Sequence, residues 1–222
     1  MTFSLVGRCA RTGMLGIAVS SSSPAVAARC AHVRPGVGAV GSQNVTDPRL
    51  GPRILDGLAA GNDPAAVIAS LEGEPGIEWR QLTAVAADGR TAVRSGARTL
   101  GRHGAAEGRD CVGAGNLLAS DDVPAAMVAA FEHDPAAHLA DRLLRGLAAG
   151  LAAGGEEGPV RSAGVVVCGD AAWPSTDLRV DWHDSPIEEL ADVWQVWAPQ
   201  EADYVTRALD PDSAPGFGVP GE

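Results

Sequence analysis

The sequence predicts an α+β protein built as a four-layer αββα sandwich of two mainly antiparallel sheets. Three observations support this prediction. Paired β-rich runs alternate with paired helical runs along the 222 residues, whereas a doubly wound parallel sheet would alternate single strands with single helices. Apolar residues make up 45% of the chain, which is enough for a full core. Aromatic residues make up only 4%, so small side chains must fill much of that core.

The chain opens with a predicted β-hairpin. Two β-rich runs cover residues 2–10 and 14–21, and the turn signal Arg-Thr-Gly lies between them. The register that closes this turn places Thr2 opposite about Ser21. The beginning of the first strand is therefore expected to lie beside a run of serine hydroxyls.

The later elements follow from turn and capping signals. Asp-Pro pairs are typical of helix starts, because Asp accepts hydrogen bonds from the first free N–H groups and Pro suits the first turn. Residues 24–33 fit either a helix or an extended segment. The predicted strands are residues 36–46, two runs within 79–97, 109–119, 161–170 and 177–183. The predicted helices follow caps at Asp47, Asp63, Asp122, Asp134 and Ser185.

The chain is predicted to form one domain over residues 1–207, followed by a mobile tail rich in Pro and Gly over residues 208–222. On the last predicted helix, Trp194 and Trp197 share one face, which fits either the core or a dimer contact. A homodimer or a higher homo-oligomer is expected.

Composition excludes several classes of function. The formal net charge is −11, and all 17 basic residues are Arg, so we expect no nucleic-acid partner and no catalytic lysine. No apolar run is long enough for a membrane span, and the N-terminus does not read as a signal peptide, which predicts a cytoplasmic protein without a membrane partner. The four cysteines are widely spaced, which indicates buried free thiols rather than a metal site, and no cofactor is expected.

Two familiar motifs are absent or misplaced. Residues 36–41 match the letters GxGxxG, but they do not lie between a strand and a helix, so a glycine-rich strand that lets another layer approach closely is the better interpretation. A Ser-His-Asp triad is disfavoured because the chain has no GxSxG elbow.

Thr2 is the strongest candidate nucleophile. An N-terminal Thr can attack a carbonyl with its hydroxyl while its own α-amine takes the proton. The unperturbed pKa of an α-amine, about 7.7–8.0, leaves a fair fraction neutral near pH 7. Removal of Met1 is plausible because small second residues permit it. Ser20–Ser22 lie nearby in the predicted register, although a polar strand end is an equally good interpretation of that run.

Several blocks of the sequence resemble one bacterial family. They are residues 2–30, "PGVGAVGSQNVTDPRLGPRILDGLAAG", "VGAGNLLA" and "GGEEGPVRSAGVVV". Together they resemble, over about residues 2–190, the domain of unknown function numbered ten-twenty-eight (DUF1028), which is grouped with the N-terminal nucleophile (Ntn) hydrolase-like folds. The resemblance implies the αββα sandwich and the family's conserved opening Thr at Thr2. After the paired glycines, Glu156 stands where the family pattern has an Asp.

The leading hypothesis is an Ntn-type amidohydrolase, or related acyl-transfer enzyme, that acts on a small amide substrate. We expect Thr2 to be the nucleophile, Asn116 to donate to the oxyanion, and Ser21 and Asn44 to orient the α-amine. A turn or strand-end role is the alternative for both asparagines. Candidate substrate-binding residues are Ser22, Asp181, His183 and Glu156.

Two other functions remain open from the sequence. The chain could be a non-catalytic protein that keeps the fold and binds a small ligand in its cleft, or a structural component of an assembly. The enzyme hypothesis requires that Met1 is removed, and this requirement separates it from the other two.

Overall fold

A computed structural model describes residues 1–218 of the chain. Within these residues there are ten strands: β1 Thr2–Arg8, β2 Leu15–Ser21, β3 Ala31–Arg34, β4 Gly38–Asn44, β5 Arg80–Ala86, β6 Thr91–Ser95, β7 Gly104–Gly108, β8 Cys111–Asn116, β9 Ser162–Cys168 and β10 Pro174–Val180. The helices are α1 Ala27–Cys30, α2 Leu50–Ala59, α3 Pro64–Ala69, α4 Val123–Glu132, α5 Leu139–Ala152, α6 Pro186–Trp197 and α7 Glu201–Leu209.

The strands form two sheets in which every neighbouring pair is antiparallel, as predicted. One sheet has six strands in the order β10-β9-β2-β1-β8-β7, and the other has four in the order β3-β4-β5-β6. The hairpin register is also confirmed. Phe3 pairs with Ser20, which places Thr2 opposite Ser21.

Each sheet packs against the other on one face and against helices on the opposite face. Helices α4, α5 and α6 cover the six-stranded sheet, and α2 and α3 cover the four-stranded sheet. Strand β1 shows the alternation that this requires, because successive side chains point to opposite faces. Phe3 and Leu5 lie in the cluster under the helices, whereas Val6 lies in the cluster between the sheets.

The glycine-rich strand β4 lets the sheets approach closely, as expected. A Cβ at Gly41 would lie 2.6 Å from Oγ1 of Thr83 and 3.4 Å from Cδ1 of Ile17 on the other sheet. A side chain at this position would therefore collide with Thr83 of the neighbouring strand β5, whereas a Cβ would be in ordinary contact with Ile17 of the other sheet.

Several local predictions are corrected or completed by the structure. The second helix of the 121–153 pair begins at Leu139 and not at Asp134, because the Asp134 carboxylate binds Ala136 N in a separate turn and His138 accepts from Ala140 N. Residues 24–33 divide into α1 and β3. Strand β7 and helix α7 were not predicted. The cap at Asp63 is confirmed, with its carboxylate accepting from Ala65 N.

The C-terminal segment packs onto the chain for part of its length. Trp194 is buried and donates to Asp141, and Trp197 stacks on Tyr204 of α7. Arg207 donates to the carbonyl of Pro215. Residues 219–222 of the predicted tail lie outside the described residues, and its mobility stays a prediction.

Candidate functional site

A row of polar side chains crosses one end of the six-stranded sheet. Asn116 pairs with Thr2, Thr2 lies opposite Ser21, and Ser21 pairs with Ser162. Paired residues share a face, and Ser4, two residues after Thr2, reaches a side chain of the other sheet. The whole row therefore faces the space between the sheets, where the apolar packing ends.

The Thr2 hydroxyl is buried and close to two oxygens. Thr2 is 5% exposed, and its Oγ1 donates to the carbonyl oxygen of Met1 at 2.5 Å. The Oγ of Ser21 lies 3.3 Å away and donates to the same carbonyl at 2.5 Å. While Met1 is present, its carbonyl thus occupies both hydroxyls.

A chain of hydrogen bonds fixes the direction of the Ser21 hydroxyl. Arg29 Nη2 donates to Ser23 Oγ at 2.5 Å, and the Ser23 and Ser21 hydroxyls are 2.8 Å apart. Because a guanidinium group can only donate, Ser23 Oγ accepts from Arg29 and can donate its own O–H to Ser21 Oγ. Ser21 in turn donates to the carbonyl oxygen of Met1. The sequence did not reveal Arg29, because the segment that carries it fitted two conformations.

Asn116 is fully buried beside Thr2, and its amide orientation is determined by its neighbours. Gln81 Nε2 donates to the carbonyl of Gly115 at 3.0 Å, so the Gln81 Oε1 must be the atom that accepts from Asn116 Nδ2 at 3.1 Å. Oδ1 of Asn116 is left as a buried acceptor with no hydrogen-bond partner among residues 1–218. Such an atom costs about 1–3 kcal/mol unless a ligand or water satisfies it.

The same amide network connects the two sheets. Ser4 Oγ donates to Gln43 Oε1 at 2.6 Å, and Gln43 Nε2 donates to Gln81 Oε1 at 2.9 Å and to the Ala114 carbonyl at 3.3 Å. All of these side chains are buried. Sequence reasoning did not assign Gln43 and Gln81, although polar residues inside otherwise apolar strands were a signal for them.

Glu156 is a buried carboxylate at the same end of the sheet. It is 5% exposed, and its two oxygens accept from Ser22 N at 3.1 and 3.2 Å. Burial raises its pKa to about 7, although the positive N-terminus and the bonds from Ser22 act in the opposite direction. Gly154 and Gly155, at φ values of 125° and 59°, turn the chain so that Glu156 can bridge to Leu118.

Asn44 lies at the end of the four-stranded sheet and contacts other groups. Its Nδ2 donates to the carbonyl of Trp79 at 2.6 Å, and its Oδ1 accepts from Leu100 N at 3.2 Å. With φ of 75°, Asn44 adopts the left-handed conformation that Asn tolerates. The structure does not bring it into hydrogen-bond contact with Thr2.

Asp181 and His183 lie on the margin, beyond Ser21. The Arg161 N–H donates to the Ser21 carbonyl at 2.8 Å, and the His183 N–H donates to the Arg161 carbonyl at 2.8 Å. Both side chains are exposed, and His183 Nδ1 accepts from Ser185 N. They are therefore neighbours of the polar row rather than members of it.

The family whose pattern matches residues 2–190 is described as "Family of unknown function (DUF1028)". The chain belongs to this family. The crystal structure of the DUF1028 protein SPO2555 from Silicibacter pomeroyi superposes with a TM-score of 0.84 at 27% sequence identity, covering 91% of this chain and 92% of that chain.

A second solved structure is more distant from this DUF1028 chain. Anbu (ancestral beta-subunit) from Yersinia bercovieri gives a TM-score of 0.42 at 11% identity, covering 98% of this chain and 100% of that chain, and no argument rests on it. No curated protein matches the chain.

Residues 1–218 hold neither a candidate membrane span nor a candidate metal cluster. No helix there combines the length and apolar character of a membrane span. No group of three or more His, Cys, Asp or Glu residues is placed to hold a metal ion. The polar groups at this end of the sheet are hydroxyls, amides and a buried carboxyl group.

Proposed function

We propose that the protein is an amidohydrolase of the N-terminal nucleophile type that uses Thr2 after removal of Met1. One observation carries the proposal. The Thr2 hydroxyl is buried at the beginning of strand β1 and lies 3.3 Å from the Ser21 hydroxyl. Removal of Met1 frees the Thr2 α-amine beside the Thr2 hydroxyl. This pair of groups suits hydrolysis of an amide bond, in which the acyl group is transferred first to the hydroxyl and then to water.

The proposed reaction proceeds in two balanced halves. Thr2 Oγ1 attacks the substrate carbonyl carbon, and the α-amine takes the hydroxyl proton. The tetrahedral intermediate then expels the amine product, which receives that proton, and an acyl ester remains on Oγ1. Water attacks the ester with the same α-amine as base, which releases the carboxylic acid and restores Thr2.

The geometry favours an exchange of the roles that the sequence suggested for Ser21 and Asn116. The free atom of Asn116 is an acceptor, which suits the N–H groups of the Thr2 α-amine. The Ser21 proton is directed by Ser23 and already lies against a carbonyl oxygen, that of Met1. We therefore assign orientation of the amine to Asn116 and donation to the substrate oxyanion to Ser21.

Glu156 holds the end of β2 through Ser22, and this bond positions the neighbouring Ser21. Its raised pKa means that the carboxyl group changes charge near neutral pH. Glu156 is thus a positioning residue for the reaction and not a group that touches the bond that breaks.

The proposal is tested without knowledge of the natural substrate. Purified protein is examined by intact mass spectrometry for loss of Met1 and is then treated with a β-lactone, which acylates N-terminal hydroxyl nucleophiles. We expect one adduct on Thr2 in the wild type and none in Thr2→Ala. The matched control is Thr83→Val, because Thr83 is also buried between the sheets and its hydroxyl has no partner among the described residues.

Retention of Met1 in native protein would contradict the proposal, as would equal acylation of Thr2→Ala and wild type. In either case a non-catalytic role in binding a small ligand would be the better account of the polar row. Thermal unfolding of both variants shows whether the fold is kept.

A further inference from the structure

A second polar region lies at the other end of β1, beyond Arg8. It is a cavity of about 560 Å³, a volume in the range of small-molecule sites. Its lining residues are Arg8, Ala10, Arg11, Arg109, Asp110, Glu132, Pro135, Ala136 and Arg142. Arg8 lies six positions after Thr2 on the extended strand β1, a distance of roughly 20 Å.

The lining carries an excess of positive charge in an acidic protein. Four arginines face two carboxylates in a chain whose formal net charge is −11. Asp110 pairs with Arg8 at 2.8 Å, and the Glu132 Oε1 accepts from the backbone N–H of Arg109 at 2.5 Å. Three guanidinium groups, those of Arg11, Arg109 and Arg142, have no carboxylate partner among residues 1–218.

Arg142 is the most informative of the four. It is only 5% exposed, its guanidinium carbon lies 3.8 Å from the centre of the Phe131 ring, and its Nε donates to the Phe131 carbonyl at 3.1 Å. Guanidinium has five N–H donors, and within residues 1–218 this one makes no ion pair. Burying a charge without a counter-ion costs free energy. An anionic ligand in the cavity would supply the counter-ion that Arg142 lacks.

We propose that this cavity binds the oxyanion group of a small molecule, a phosphate or a carboxylate. Arg142 at the buried wall and Arg11 and Arg109 at the rim provide the planar, paired donors that match such groups. Arg8 Nε, which is buried and has no partner among the described residues, adds a further donor. The site is independent of the proposed chemistry at Thr2.

Isothermal titration calorimetry tests the proposal with two probes, inorganic phosphate and succinate, at constant ionic strength maintained with chloride. We expect at least one probe to bind the wild type more tightly than chloride. The stronger probe shows whether the ligand group is a phosphate or a carboxylate. Arg142→Met keeps most of the packing on Phe131 and is expected to weaken binding by about 10- to 100-fold.

Further variants keep the proposal falsifiable if Arg142→Met does not fold. The exposed rim residue Arg109 is replaced by Gln, with an expected weakening of about fivefold. Asp110→Asn removes a competing carboxylate and keeps a residue that tolerates φ of 61°, so binding should become tighter. The control Arg34→Gln, on the four-stranded sheet, should leave binding unchanged.

The proposal is overturned if neither probe binds more tightly than chloride. It is also overturned if folded Arg142→Met and Arg109→Gln bind the preferred probe as tightly as the wild type and as Arg34→Gln.

Discussion

The two ends of β1 differ in the kind of polar group that they bury. At the Thr2 end the buried groups are hydroxyls, amides and the carboxyl group of Glu156. At the Arg8 end they are guanidinium groups, of which Arg142 is the most buried. Between the ends, Leu5 and Val6 are fully buried in apolar clusters on opposite faces.

The difference shows which parts of a sandwich fold can bury polar functional groups. The middle of β1 is closed by helices on one face and by the second sheet on the other, so only apolar side chains pack there at low cost. Each end retains one buried atom without a hydrogen-bond partner among residues 1–218, Asn116 Oδ1 at one end and Arg8 Nε at the other. A bound ligand would supply the hydrogen-bond partner that each of these atoms lacks.

The largest expected effect is on the rate of Thr2 acylation when the N-terminus is extended. A Gly-Ser extension before Met1 should block formation of the Thr2 α-amine and lower β-lactone acylation by at least about 10³-fold, because nucleophile and base act as one unit. Thr2→Ser, which keeps both groups, should retain acylation. Intact mass and the rate of adduct formation provide the measurement. Undiminished acylation of the extended chain would show that the hydroxyl reacts without its amine.

Replacement of Asn116 should have the next largest effect. Asn116→Ala removes the proposed acceptor for the α-amine and should slow acylation by about 10²-fold. Because its role is to position the amine, the pH at which the acylation rate reaches half its maximum should also move. Asn62→Ala is the control, since Asn62 bonds only to a carbonyl on the surface helix region. A slower rate with an unchanged pH profile would point to a structural role alone.

Glu156→Gln tests the buried carboxyl group through stability. The folded pKa of about 7 lies above the value of about 4.3 in an unfolded chain, so unfolding releases a proton between these pH values. The wild type should lose up to about 3 kcal/mol of stability as pH rises from 4.3 to 7, and no more above 7.

The Gln variant should lack this pH-dependent loss, and the exposed Glu188→Gln should behave as the wild type. Urea unfolding at a series of pH values measures the effect. Identical pH dependence in wild type and Glu156→Gln would contradict the assigned pKa.

The smallest expected effect is that of anion binding in the cavity near Arg8 on the rate of acylation at Thr2. Saturation with the preferred anion should change the rate of Thr2 acylation by less than about twofold, because distant sites without shared contacts act independently. The same anion should raise the midpoint of thermal unfolding, since it binds only the folded chain. A large change in acylation on anion binding would show that the ends of β1 are coupled.

Local signals predicted much of the fold. The hairpin register of β1 and β2 followed from one turn signal, and the helix cap at Asp63 followed from one Asp-Pro pair. Strand β7 was missed because it consists of Gly, Ala and Glu, which are poor strand formers, and helix α7 was missed although its sequence is amphipathic. The start of α5 was misplaced because Asp134 was taken as its cap, whereas in the structure Asp134 closes a separate turn and His138 caps the helix.

The sequence by itself determined that Thr2 begins a strand and that Ser21 lies opposite it, because turn geometry and alternation are local properties. Only the tertiary structure decided that Gln81 of the other sheet fixes the Asn116 amide and that Arg29 directs the Ser21 hydroxyl. It alone also decided that Arg8 and Arg142 meet in one cavity. These contacts join residues from separate elements, and no local pattern specifies which distant side chains will be brought within hydrogen-bond distance.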